Sequence, residues 1–166
     1  MKKPLLVLLK GKPTAGKSTA FRSLRYDARI KKDFIFVDHE NLKSVMGKEE
    51  GKMALFDILR TIMKNRPNIM TEEMSGKTIM KYLGKEIKKY DYEIITFYFE
   101  IDIDKAHKRN KQRAKTGWHS LMEKQKLEEM HRYHIEEHKD DINPIIVDCN
   151  KLNKKQVIEL IAKKLA

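Results

Sequence analysis

Nine residues, Gly11-Lys12-Pro13-Thr14-Ala15-Gly16-Lys17-Ser18-Thr19, constrain this chain more than any other stretch. They fit G-x-x-x-x-G-K-[ST] and stand between an apolar run, Pro4 to Leu9, and a segment from Lys17 to Leu24 that can begin a helix. Strand, glycine loop and helix in that order turn backbone amides inward at the positive end of the helix, which makes a cradle for phosphate oxygens. Gly11 and Gly16 allow backbone shapes and close approaches that a side chain would block. The pattern predicts that the whole stretch holds a nucleoside triphosphate. Within it Lys17 reaches the β- and γ-phosphates, and the Ser18 hydroxyl ligates Mg²⁺.

The rest of the chain supplies a setting for that loop. Phe34 to Val37 reads as a second strand, β-branched and aromatic, ending at Asp38. A short helix is predicted over Asn41 to Gly47. A longer one runs over Glu49 to Arg66, where Met53, Phe56, Leu59, Ile62 and Met63 keep the helical period. Asn68 to Thr71 is a weak third strand, followed by a helix from about Gly76 to Tyr90. Glu93 to Ile101 is the clearest strand of all. A helix from Asp104 to about Lys115 and a long polar one from about Leu121 to Lys139 follow it. Ile145 to Val147 is a fifth strand, and Asn153 to Leu165 closes the chain as a helix.

Strands alternating with helices predict an α/β fold: a three-layer sandwich around a five-stranded parallel sheet, in one domain spanning 1–166. Ligands of such sheets bind at the carboxyl ends of the strands. That rule selects Gly11 to Ser18, Asp38 to Lys43, Glu72 to Ser75, Asp102 to Asp104 and Asp148 to Asn150.

Charge narrows the partner. The chain has 166 residues and a formal net charge of +12, an excess that attracts nucleotides, nucleic acid or anionic surfaces. Its longest apolar run is far shorter than a membrane span needs, so no membrane partner is expected. A lone cysteine, Cys149, excludes an internal disulfide and suits a reducing compartment, the cytoplasm. Asn150-Lys151-Leu152-Asn153 lacks the closing aspartate of the guanine-reading Asn-Lys-x-Asp, which argues against a GTPase switch.

Several residues have the right chemistry at these strand ends. Glu40 and Lys43 fall on one side of the predicted helix. They suit the two needs of a phosphoryl acceptor, a carboxylate for its proton and a cation for a neighbouring phosphate. Asp38 is a rival acid, or a helix cap. Arg109 and Arg113 lie one helical turn apart, where guanidinium groups can meet the charge of a transferring phosphoryl group. Glu72 and Glu73 leave the third strand within sight of substrate or hydrated magnesium. His131, His134 and His138 share a helical face. With nothing like HExxH beside them, a surface or substrate-facing helix is expected rather than a metal site.

Lys108-Arg109-Asn110-Lys111-Gln112-Arg113 is similar to the lid helix of phage and bacterial polynucleotide 5′-hydroxyl kinases, and the chain as a whole resembles the P-loop kinases. The resemblance implies an ATP- and Mg²⁺-dependent transfer to a hydroxyl, with a helical lid at about 104–120. Arg113 takes the place of the transition-state arginine, and Glu40 and Lys43 take those of the acceptor base and phosphate clamp. In those enzymes the pair is Asp and Arg, and Asp-x-Thr-Asn follows the third strand. Here Glu73-Met74-Ser75-Gly76 stands there, an acid and a hydroxyl that look more like the zeta-toxin pattern for holding a sugar nucleotide.

The expectation is therefore a polynucleotide kinase whose acceptor is the 5′ end of RNA or DNA, with Asp38, Lys43, Glu73 and Ser75 on the acceptor side. Two alternatives stay open. One is a kinase of nucleosides, nucleotides or nucleotide sugars, and the other is a nucleotide-binding interaction module without turnover.

Overall fold

Every residue of β1, Leu5–Gly11, is buried, and its alternate side chains feed two different cores. Leu5, Val7 and Leu9 pack on one face of the sheet with Phe21 and Leu24 from one helix and Val157 and Ile161 from another. Leu6 and Leu8 pack on the other face with Leu55, Phe56, Leu59, Ile79 and Leu83. A strand covered on both sides is apolar throughout, which is why the run shows no alternation. Cutting a fully buried leucine such as Leu8 to alanine would cost about 2–5 kcal/mol.

The computed structural model describes residues 2–72, 76–117, 121–138 and 144–166. After β1 come α1 (Lys17–Leu24), β2 (Phe34–Val37), α2 (His39–Met46), α3 (Lys48–Met63), β3 (Asn68–Glu72) and α4 (Gly76–Lys89). Then follow β4 (Glu93–Glu100), α5 (Ile103–Lys115), α6 (Lys124–His138), β5 (Ile145–Asp148) and α7 (Lys154–Leu165). The five strands are all parallel, in the order β2-β3-β1-β4-β5. This is the α/β sandwich expected from the alternation of elements, with β1 at its centre.

Three local expectations change. β3 is no marginal strand: it pairs with β1 and β2, and Ile69 to Glu72 are all buried. α2 starts at His39, two residues early, because the Asp38 carboxylate accepts from the Asn41 amide and caps it there. α6 starts at Lys124 rather than Leu121, and it is not solvated all round: Leu127 and His131 are both buried.

α2 and α3 meet at Gly51. A Cβ there would lie 2.8 Å from the carbonyl carbon and oxygen of Leu42 and from the Cα of Lys43. Only a glycine lets the two backbones come so close.

Candidate active site

The loop after β1 is shaped by three residues in left-handed or neighbouring conformations, Gly11 (φ 135°), Thr14 (φ 62°) and Gly16 (φ 102°). At Gly11 a Cβ would collide with the Phe99 carbonyl group, and the next amide, Lys12 N–H, donates to that carbonyl at 3.1 Å. The loop is thereby tied to β4. Gly16 is the N-cap of α1 and has no side chain to satisfy the first-turn amides. At α2 and α7, by contrast, Asp38 and Asn153 do this. The uncapped amides of α1 and its dipole face the loop, as an anion site requires.

Lys17 is buried, and its Nζ donates to the carbonyl oxygens of Gly11 (2.8 Å) and Lys12 (3.0 Å). The ammonium thus lies along the inside of the loop. Ser18 is half-buried at the first turn of α1. Lys12 is buried too, and its Nζ pairs with Glu100 Oε1 at 3.2 Å, at the end of β4.

α5 lies on this loop. Ala106 is fully buried, its carbonyl accepts from the Thr14 hydroxyl at 3.4 Å, and Arg109 Nη1 donates to the carbonyls of Thr14 (3.3 Å) and Ala15 (3.2 Å). Arg109, one of the two arginines expected to meet a phosphoryl group, is thus engaged with the loop backbone. Arg113, one turn further on, is exposed. Asn110 fastens the segment after α5, donating to the Met122 carbonyl at 2.8 Å and accepting from its amide at 3.3 Å.

α6 adds a residue that the sequence reading did not place. The His131 ring is buried, hydrogen-bonded to the backbone of Pro13, while its Nε2 has no hydrogen-bond partner among the described residues. Burial first, then the charge of Lys12, hold its pKa below the ordinary imidazole range. Among the described residues no group of three or more His, Cys, Asp or Glu is arranged to hold a metal ion.

On the other side of the loop, Lys43 Nζ meets Glu40 Oε1 at 2.7 Å on α2, with both side chains partly open to solvent. Asp38 caps their helix, so its carboxylate already has a structural task. Glu72 is buried at the end of β3, opposite Leu9 of β1. Glu73 and Ser75 lie outside the described residues. Strand order therefore sets Glu72 between the Glu40–Lys43 pair at the end of β2 and the loop at the end of β1. Oxygen donors such as the Ser18 hydroxyl and the Glu72 carboxylate suit Mg²⁺, which keeps several waters and takes few protein ligands.

No family model and no curated protein matches the chain. Solved structures do. A protein of Chloroflexus aurantiacus J-10-fl, provisionally described as a kinase, superposes with a TM-score of 0.71 at 16% identity over 99% of this chain and 97% of its own. The Pnkp1/Rnl/Hen1 RNA repair complex matches with a TM-score of 0.67 at 18% identity, over 86% of this chain and 47% of that one. Deoxyadenosine kinase from M. mycoides, with bound dATP, matches at 0.61 and 18% identity over 96% and 98% of the two chains.

The chain shares the fold of these proteins. That fold makes sense of the uncapped helix, the inward lysine and the helix resting on the loop. No described helix is long and apolar enough to cross a membrane.

Proposed function

We propose that this protein is an ATP- and magnesium-dependent kinase that phosphorylates the 5′-hydroxyl of RNA or DNA. The observation that carries this reading is the Glu40–Lys43 pair at 2.7 Å, standing at the end of β2 with only β3 between that strand and the donor loop strand. A base and a cation placed together beside a phosphate cradle suit an acceptor that brings both a hydroxyl and a phosphate of its own.

The loop amides and Lys17 hold the donor phosphates, and Ser18 with Glu72 nearby supplies oxygen donors for the magnesium ion that shields them. Glu40 orients the acceptor hydroxyl and takes its proton, while Lys43 grips the adjoining phosphate. Arg109 fastens α5 to the loop, so that Arg113 at the next turn can reach the transferring group as the cover closes. The net charge of +12 favours a polyanionic acceptor.

Radiolabelled ATP with 5′-hydroxyl oligonucleotides tests this at low salt. Label on the oligonucleotide, lost in Glu40→Gln and in Lys17→Ala, is the expected result. Label only on a small metabolite refutes the polynucleotide acceptor and favours a second reading, a small-molecule kinase. The end-to-end match to deoxyadenosine kinase, 96% and 98% of the two chains, speaks for that reading.

A further inference from the structure

The cationic face of α4 has no task in the chemistry described above. In 14 residues α4 carries Lys77, Lys81, Lys85, Lys88 and Lys89 against a single acid, Glu86. Lys77, Lys81, Lys85 and Lys89 recur every fourth residue, so they stack along one side of the helix over ~18 Å. Like charges at that spacing weaken a helix. Lys77 has a partner of its own, and the remaining row of Lys81, Lys85 and Lys89 works against folding unless an anion neutralises it.

Across from this row stands α3, and the two helices enclose a groove of about 440 Å³ whose cations are Arg60, Lys64, Lys85 and Lys89. The groove's two carboxylates are already engaged. Arg60 Nη1 holds Asp57 at 2.7 Å and its Nε approaches Glu86 at 3.8 Å, while Nη2 donates to the Tyr82 carbonyl. Neither Lys64 nor Lys85 has a carboxylate within 4.0 Å among the described residues.

Two aromatic rings stand near the cations: Tyr90 lines the groove, and Tyr82, whose carbonyl Arg60 holds, lies beyond its lining. Lys52 from α3 and Lys81 from α4 both stand over the Tyr82 ring, at 5.5 and 5.2 Å, and Lys89 stands 5.2 Å over Tyr90 in the groove wall. Tyr82 is in turn stacked on Phe56, so its position is fixed. Positive charge interleaved with aromatic faces is the composition that takes up a single strand, phosphates on the cations and bases on the rings. Both helices begin at the carboxyl end of the sheet, where α2 carries Lys43, and run to its opposite end. The groove lies along the second halves of both helices, so a strand with its end at Lys43 would have to run along them, away from the chemistry, to reach it.

We propose that the groove between α3 and α4 binds the body of a single-stranded nucleic acid whose 5′ end is at Glu40 and Lys43, an assignment that rests on the polynucleotide reading above. The test is fluorescence anisotropy with a 20-nucleotide oligomer and a trinucleotide, both carrying 5′-phosphate so that no transfer intervenes. Two triple variants at Lys64, Lys85 and Lys89, one to Gln and one to Glu, are compared with wild type, each shown folded by circular dichroism.

The expected result is at least a tenfold loss of affinity for the 20-mer. The slope of log affinity against log salt should fall by about two, since each lost phosphate contact on a single strand removes roughly 0.7. Trinucleotide binding, and phosphorylation of a 5′-hydroxyl trinucleotide, stay as in wild type. Unchanged 20-mer binding in both variants overturns the groove and leaves the acceptor reading standing. Weakened 20-mer binding by a protein that labels no 5′-hydroxyl end supports the groove and removes the acceptor reading. Polyglutamate of equal charge binding wild type as tightly as the 20-mer overturns the assignment to nucleic acid.

Discussion

The ammonium of Lys17 donates to the carbonyl oxygen of Gly11 at 2.8 Å, so the cation proposed to meet phosphate is held by the backbone of its own loop. The loop keeps a buried charge solvated through its carbonyls, and in the proposed function donor phosphates would replace them as partners. Lys17→Met should lower the rate of transfer by about 10²–10³, the usual cost of losing one pre-placed electrostatic partner. Two carbonyls lose a donor in that variant, for a stability loss of about 1–3 kcal/mol. Single-turnover assays and urea titrations measure the two effects separately.

Gly51 decides where α2 sits. With Ala in its place, the new methyl would stand 2.8 Å from Leu42 and Lys43, and α2 must move outward with Glu40 and Lys43. Gly51→Ala should raise the acceptor KM about tenfold and leave the KM for ATP unchanged, at an overpacking cost of ~1–3 kcal/mol. Equal effects on both substrates would show that α2 does not locate the acceptor.

His131 predicts a pH dependence of stability. Burial and the neighbouring Lys12, His107 and Lys17 depress its pKa, with the Pro13 backbone hydrogen bond opposing them. His107 itself approaches Glu128 at 3.5 Å. Because the folded pKa lies below the unfolded value of about 6.5, the unfolded chain takes up the proton first as pH falls. Stability is thus unaffected by this group above that value and declines below it until the folded pKa is passed. His131→Gln keeps an N–H for the Pro13 carbonyl and cannot be protonated. Urea midpoints between pH 7 and 5 should fall more steeply for wild type than for the variant.

Cys149 is buried, its thiol donates to the Val147 carbonyl at 3.4 Å, and burial pushes its pKa up to about 11. The thiolate is the reactive form, so a disulfide reagent at pH 8 should label the folded protein very slowly. Denaturant should restore ordinary rates within the unfolding transition. Fast labelling without denaturant would mean that the end of β5 opens readily.

The strands and the glycine loop were legible because each depends on neighbours in sequence: an apolar run, two glycines, a lysine and a serine. β3 looked weak because it is only five residues long and its four buried residues include Thr71 and Glu72, which are covered by β1 and β2 on either side. His131 was hidden because one buried leucine and a histidine leave no apolar period on a polar helix. Arg109 and Arg113 stood out as a pair one turn apart. That Arg109 turns to the loop depends on contacts 94 and 95 residues away in sequence. Gly51 carried no signal at all, since a glycine inside a helix looks like a defect until the crossing backbone is seen.

β2 is an edge strand, bonded to β3 alone, and α2 hangs from its end. Elements at a rim can be lengthened, shortened or replaced without rethreading the centre, where Gly11 is wedged against Phe99. On the proposed function, this half of the molecule is therefore the place to graft a new acceptor preference, while the loop after β1 is left as it stands.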